Sequence, residues 1–277
     1  MTKHDTKMTI NEYDVQFGEH RIHCYEGGAG KPLLLLHGIG PGTSIVANFG
    51  SVIPPLVERY HIFACDLIGF GGSSRKRTQP FFDFPLWVSQ AQFMLDRMPG
   101  GDVSILGHSM GGAIALKIGS VNKRVCKIIT SGAAGGTLKL NKFVETFWTT
   151  PKSREDIRNA MKVGMYDHSA ISDQLIEERF RVVSQGDYIP YFEAMLSGDK
   201  QKMLDNARMT PEELTAIDAD VLVMHGRNDL PCPPEETAQQ IYRHIRKGDL
   251  LLLHNCGHQI PREYPKTLLT MAGLWFG

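Results

Sequence analysis

The chain carries no excess of charge. Lys and Arg number 30, Asp and Glu number 30, and the formal net charge is zero. With no basic stripe, nucleic acid is excluded as the main partner. Long hydrophobic runs are also missing. The longest aliphatic stretch, 33–36, is far too short to span a bilayer, so no membrane role is expected. The opening MTKHDTKMTI has no apolar segment of the secretory kind, and a cytoplasmic location is expected. Five cysteines are scattered and odd in number, with no C-x-x-C pair, which fits reduced thiols and argues against a disulfide framework or a structural zinc. There is no internal repeat and no low-complexity linker. HGIGPG (37–42) has the glycines of a phosphate loop, but no G-K-[ST] follows, so no nucleotide site is expected. Neither a cofactor nor a metal is implied.

What is present centres on VSILGHSMGG (103–112). An apolar run suited to a buried strand enters G-H-S-M-G, and a helical stretch with Ala113, Ile114 and Leu116 follows. This is the nucleophile-elbow pattern G-x-S-x-G, in which a sharp strand-to-helix turn lifts a serine above a sheet. Side chains at Gly107 or Gly111 would collide where strand and helix pack closely. Ser109 is the candidate nucleophile.

Around this stretch the chain alternates strands and helices. Strand patterns fall at 13–17, 21–25, 33–37, 61–65, 103–106 and 125–130, with a loop at 27–32 and helical spacing at about 45–58 and 84–97. The pattern stops at Ser131, and only helical stretches run on to about Met209. Thr210-Pro211-Glu212-Glu213 is a capping box with proline at the first helical position. Strands resume at 221–224 and 250–253, with helices at about 235–245 and 264–276. The expectation is an α/β fold: a mostly parallel sheet flanked by helices, formed by 1–132 and 211–277, with 133–210 as an all-helical lid inserted into it.

Two further candidates follow the late strands. Asp229 stands in HGRNDLP and His258 in HNCGHQIP, both beyond the carboxyl ends of strands, where open α/β sheets place ligands. Asp218 and Asp220 precede their strand and lie at its wrong end. A serine hydroxyl needs an imidazole to take its proton, and the imidazole needs a carboxylate to hold its tautomer. Ser109, Asp229 and His258 occur in that chain order, which is the α/β-hydrolase order. The oxyanion donors expected are the backbone amides of Met110, after the nucleophile, and Ile39, in the HGIGPG loop. His108 has the elbow position beside the nucleophile, where structural hydrogen bonding is the simpler role.

The whole chain resembles the α/β-hydrolase superfamily through HG near 37, GFGGS near 69, the elbow, GRND and GH in sequence. Within it, HGIGPGTSIVANF (37–49), GAAGG (132–136) and YDHSAISDQLIEERF (166–180) are similar to the meta-cleavage-product hydrolases, carbon–carbon bond hydrolases of bacterial aromatic degradation. That resemblance implies a small-molecule substrate, a vinylogous diketone from ring opening of a catechol-like compound, and products that are a dienoate and a carboxylic acid. It implies Gly38, Asn48, His108, Arg179 and Gln259 as substrate-binding positions, with Arg179 on the substrate's acid end, and a homodimer. His108 and Gln259 stand where the family commonly has asparagine and tryptophan. A carboxylesterase or lactonase would use the same triad, and a receptor-type binder on this fold would need Ser109 unreactive. Phe143, Phe147, Trp148, Phe192 and Met195 are candidate pocket or packing residues of the lid.

Overall fold

Among residues 10–277, which the computed structural model describes, eight strands form one sheet. They are β1 (Asn11–Phe17), β2 (His20–Gly27), β3 (Lys31–Leu36), β4 (Tyr60–Cys65), β5 (Val103–His108), β6 (Val125–Ser131), β7 (Asp220–Gly226) and β8 (Gly248–Leu253). Their spatial order is β1-β2-β4-β3-β5-β6-β7-β8. β2 pairs antiparallel with β1 and β4, and every pairing from β4 to β8 is parallel. The reading of residues 1–9 as free of an export segment lies outside the described residues.

The two-residue period of a strand explains the layers. Leu34 and Leu36 face a cluster with Trp87, Met94 and Ile114, while Leu33 and Leu35 face Phe49, Leu56 and Phe276 on the other side. Helices Phe84–Arg97 and Met110–Val121 cover the first face. Helices Ile53–Val57 and Pro265–Phe276 contribute to the second.

Three local expectations need correcting. The helix expected at 45–58 is two short ones, Ile45–Phe49 and Ile53–Val57, because Pro54 and Pro55 have no N–H to continue an earlier turn. The loop at 27–32 shrinks to 28–30, since β2 runs through Gly27 and β3 starts at Lys31. The helix expected at 235–245 is only Ala238–Tyr242, its start delayed past Pro233 and Pro234 by a turn in which the Glu236 amide donates to the Pro233 carbonyl.

Between β6 and β7 come the helices Lys142–Phe147, Arg154–Gly164, Asp173–Val183, Tyr188–Met195, Lys200–Asn206 and Pro211–Thr215, with no strand among them. The last has the capping box read from Thr210 and Glu213. This segment is tied to the core at specific atoms. The His258 and Gln259 amides both donate to the Gly164 carbonyl, at 2.8 and 3.2 Å. Glu263 accepts from the Tyr166 amide at 2.7 Å and the Gly257 amide at 3.0 Å. The Tyr188 hydroxyl accepts from the Gly42 amide at 2.5 Å. No helix among the described residues is long and apolar enough to cross a membrane. All five cysteines are free thiols.

Candidate active site

Ser109 sits between β5 and helix Met110–Val121 with φ of 54°, a conformation that side chains other than glycine rarely adopt. The turn is held by close packing. A Cβ on Gly111 would lie 2.6 Å from the His37 carbonyl oxygen and nearer still to that of Leu36, and one on Gly112 would lie 2.7 Å from the Ala133 methyl. A side chain on Gly107 would meet the Gly112 Cα at 2.8 Å. Ser109 occupies the helix N-cap, yet its side chain caps nothing. Its hydroxyl donates instead to His258 Nε2 at 2.9 Å, and His258 Nδ1 donates to Asp229 Oδ2 at 2.7 Å. The three residues expected from separate motifs thus form one hydrogen-bonded line, with Asp229 beyond β7 and His258 beyond β8.

The electrostatics of the line follow from burial. Burial opposes a charge on Asp229, but His258 and His225 more than reverse this, and its pKa lies below the ordinary carboxylate range. Burial likewise opposes charge on His258, and the Asp229 carboxylate outweighs it, so the imidazole is raised well above its usual value. His225 was not anticipated. Its Nε2 donates to the Cys232 carbonyl at 2.7 Å and lies 3.0 Å from Asp229 Oδ2. The Cys232 amide completes the cradle with a 2.8 Å bond to Asp229 Oδ1. The available signal was a histidine four residues before the aspartate in HGRND. Asp229, Cys232 and His258 also place ligand-type atoms within 4.8 Å of one another. The Asp229–His258 bond uses two of those groups on each other, which describes a proton relay better than a metal cage.

The two expected oxyanion amides, Ile39 and Met110, have no backbone or side-chain acceptor among the described residues. Both residues line the space in front of Ser109. Asn48 fixes the loop that carries Ile39, its Oδ1 accepting from the Gly38 amide at 2.9 Å. His37 anchors the loop's other side, donating through Nδ1 to the Gly38 carbonyl and accepting the Leu67 amide at Nε2.

Two cavities meet at Ser109. One is lined on its polar side by Asn48, His108, Arg179, Gln259 and Arg262. The other is apolar, with Leu138, Val144, Trp148, Leu204 and Cys232 in its wall. Ile39, Ser109, Phe147 and His258 border both. All five expected substrate positions, Gly38, Asn48, His108, Arg179 and Gln259, therefore converge on the polar cavity. His108 also has the structural bond expected of it, Nδ1 donating to the Ser131 carbonyl at 2.9 Å. Burial first, then the charge of His258, pulls its pKa down to about 3, so it is neutral. Of the aromatic and methionine candidates in the insertion, Phe147 and Trp148 border the cavities. Phe192 instead packs on Phe70 and Tyr188, Met195 is core, and Phe143 lines neither cavity at the site.

Arg179 is no surface charge. It is half-buried with its Nε shut off from solvent, and burial and then the charge of Arg262 lower its pKa to about 10. Arg262 itself was missed. Its position one helical turn after His258 was the only hint.

Residues 31–261 match the alpha/beta hydrolase fold family, and the chain belongs to it. It is 27% identical to the 2-hydroxymuconate semialdehyde hydrolase of Pseudomonas sp. CF600, over 91% of this chain and 89% of that protein. It is 29% identical to the 2-hydroxy-6-oxo-2,4-heptadienoate hydrolase of Pseudomonas putida F1, over 92% of each. Among solved structures, a meta-cleavage product hydrolase of Pseudomonas fluorescens IP01 superposes with a TM-score of 0.90 at 25% identity, covering 95% of this chain and 97% of the other. The resemblance to the meta-cleavage-product hydrolases thus extends through sequence and backbone alike.

Proposed function

We propose that this protein hydrolyses a carbon–carbon bond in a 2-hydroxy-6-oxo-dienoate type ring-cleavage product, giving a dienoate and a carboxylic acid. The observation that carries the reading is the position of Ser109 between a cationic cavity and an apolar one. A substrate with a charged acid end, a remote ketone and an uncharged acyl group fits that order. A simple neutral ester would leave the half-buried Arg179 without a partner.

In this reading the substrate first passes from enol to ketone through its dienolate: the 2-oxygen gives up its proton, and the carbon beside the remote ketone takes one up. Ser109 Oγ then attacks the ketone carbon while His258 takes the hydroxyl proton, with Asp229 holding the imidazole. The Ile39 and Met110 amides receive the oxyanion. The carbon–carbon bond breaks and its electron pair passes into the conjugated acid fragment, which leaves as the dienolate and gains a proton. Water, deprotonated by His258, releases the acyl group from Ser109. Arg179, Asn48, Gly38, His108 and Gln259 surround the acid fragment, and residues 133–210 act as a lid on the core formed by 1–132 and 211–277.

Loss of the dienolate's visible absorbance tests the reading directly. Steady turnover of a ring-cleavage product, against weak turnover of a small neutral ester, is expected. Turnover of the ester with none of the dienolate would overturn it in favour of an esterase. We further propose a homodimer, on the family resemblance, and a cytoplasmic location, on the free thiols. Light scattering that returned the monomer mass of 30.9 kDa would reject the dimer.

A further inference from the structure

Two half-buried guanidiniums in one cavity are more than a single carboxylate requires. Arg179 and Arg262 both line the polar cavity, and among the described residues no acidic side chain lines it with them. Each is held by one carbonyl: Arg179 Nη1 donates to Pro41 at 3.4 Å and Arg262 Nη2 to Ala47 at 3.1 Å. The Nε of each is buried without a hydrogen-bond partner. Glu178 is near enough to act on Arg262 by its charge, but neither arginine makes an ion pair among the described residues. An unpaired buried charge is strongly destabilising, and two that repel each other more so. Such a pair persists where a ligand supplies the missing charge.

We propose that Arg262 is a second substrate-binding cation, forming with Arg179 a receptor for an acid that carries another anionic oxygen on the neighbouring carbon. This rests on the reading above, in which the substrate is a 2-hydroxy dienoate: its carboxylate and its ionised 2-oxygen are adjacent and match two guanidiniums. One carboxylate alone would leave one cation unmatched beside Ile157, Met161 and Met165, which line the same cavity. A guanidinium forks around paired oxygens, so two of them select an α-oxygenated acid over a plain one. Arg262 lies on the short helix Ile260–Glu263 directly after His258, so the same segment sets the imidazole and the cation.

Calorimetric titration with oxalate, which has two adjacent carboxylates, and with acetate, which has one, separates this role from a structural one. The wild-type protein should bind oxalate more tightly than acetate. Arg262→Gln should weaken oxalate roughly ten- to a hundred-fold and acetate less than about threefold. Arg262→Lys, which keeps the charge and the fold, should recover part of the oxalate binding. Equal losses for both anions, or no loss for either, would overturn the proposal and leave Arg262 as a tether to Ala47. The measurement needs no turnover. If the dienolate is not cleaved while the oxalate contrast holds, the functional reading fails and the receptor stands.

Discussion

His225 and His258 share one oxygen of Asp229, at 3.0 and 2.7 Å. His225 Nε2 is a donor, because it bonds the Cys232 carbonyl and faces the carboxylate. Its Nδ1 is buried without a hydrogen-bond partner among the described residues, so the ring's polar contacts are all made through Nε2. On the proposed mechanism His225 is a positioning residue, packed against the carboxylate that holds the His258 imidazole.

His225→Leu removes that donor and leaves the rest of the line in place. A hydrogen bond to a charged group contributes about 1.5–3 kcal/mol, so kcat should fall roughly ten- to a hundred-fold with KM little changed. His225→Gln, which retains an N–H, should recover part of the rate. Parallel changes in KM and thermal stability, with no rescue by Gln, would mean that His225 only packs.

The pH profile follows from the direction of the His258 shift. On the proposed mechanism His258 must be neutral to act as base, and Asp229 raises its pKa well above the usual value of about 6.5 despite burial. The rate should therefore increase as pH rises through a midpoint above 6.5. Asp229→Asn removes the carboxylate and leaves the burial, so the midpoint should drop while the maximal rate falls by about four orders of magnitude. An unmoved midpoint in that variant would assign the limb to another group. Ser109→Ala should lower turnover by roughly a million-fold while the dienolate still binds, visible as a spectral change without decay.

The elbow makes a structural prediction. Gly111→Ala drives a methyl into the carbonyl oxygens of Leu36 and His37, which are backbone and cannot yield. The expected cost is about 1–3 kcal/mol of stability together with loss of activity, since the Ser109 turn must open. Thermal unfolding checks it: wild-type stability with full activity would show that the close approach is dispensable.

What was legible in the chain and what was not divides along physical lines. The Ser109 turn needs glycine at fixed local spacing, so a short motif reports it without any partner. Asp229 and His258 were readable because strand ends in such a sheet always point one way. The Leu33 to Leu36 run showed a strand buried on both faces. Proline positions marked where helices had to start late, although the breaks at Pro54 and Pro233 were passed over. Arg179 was reachable only by resemblance, because its helix Asp173–Val183 exposes most of its neighbours and nothing local marks a buried charge. Arg262, His225 and Tyr188 act through partners distant in the chain or across the cavity. Tyr188 bonds the Gly42 amide across 146 residues, a relationship no spacing rule contains.

The last prediction separates a carbon–carbon hydrolase from an esterase on the same triad. Arg179 lines the polar cavity and meets no carboxylate among the described residues, so on the proposed reading its partner comes with the substrate. A dienoate brings a carboxylate that a guanidinium grips with two parallel hydrogen bonds, whereas a neutral ester brings none. Losing such a contact is worth about 1.5–3 kcal/mol. Arg179→Gln should thus cut kcat/KM for a ring-cleavage product roughly ten- to a hundred-fold and leave a small neutral ester nearly unchanged. Arg179→Lys should recover only part, because a point charge cannot copy the planar fork. Equal loss on both substrates would show that Arg179, through its bond to the Pro41 carbonyl, holds the oxyanion loop in place instead of the substrate. No loss on either would remove the acid-end assignment and leave the apolar cavity alone to define what this enzyme cleaves.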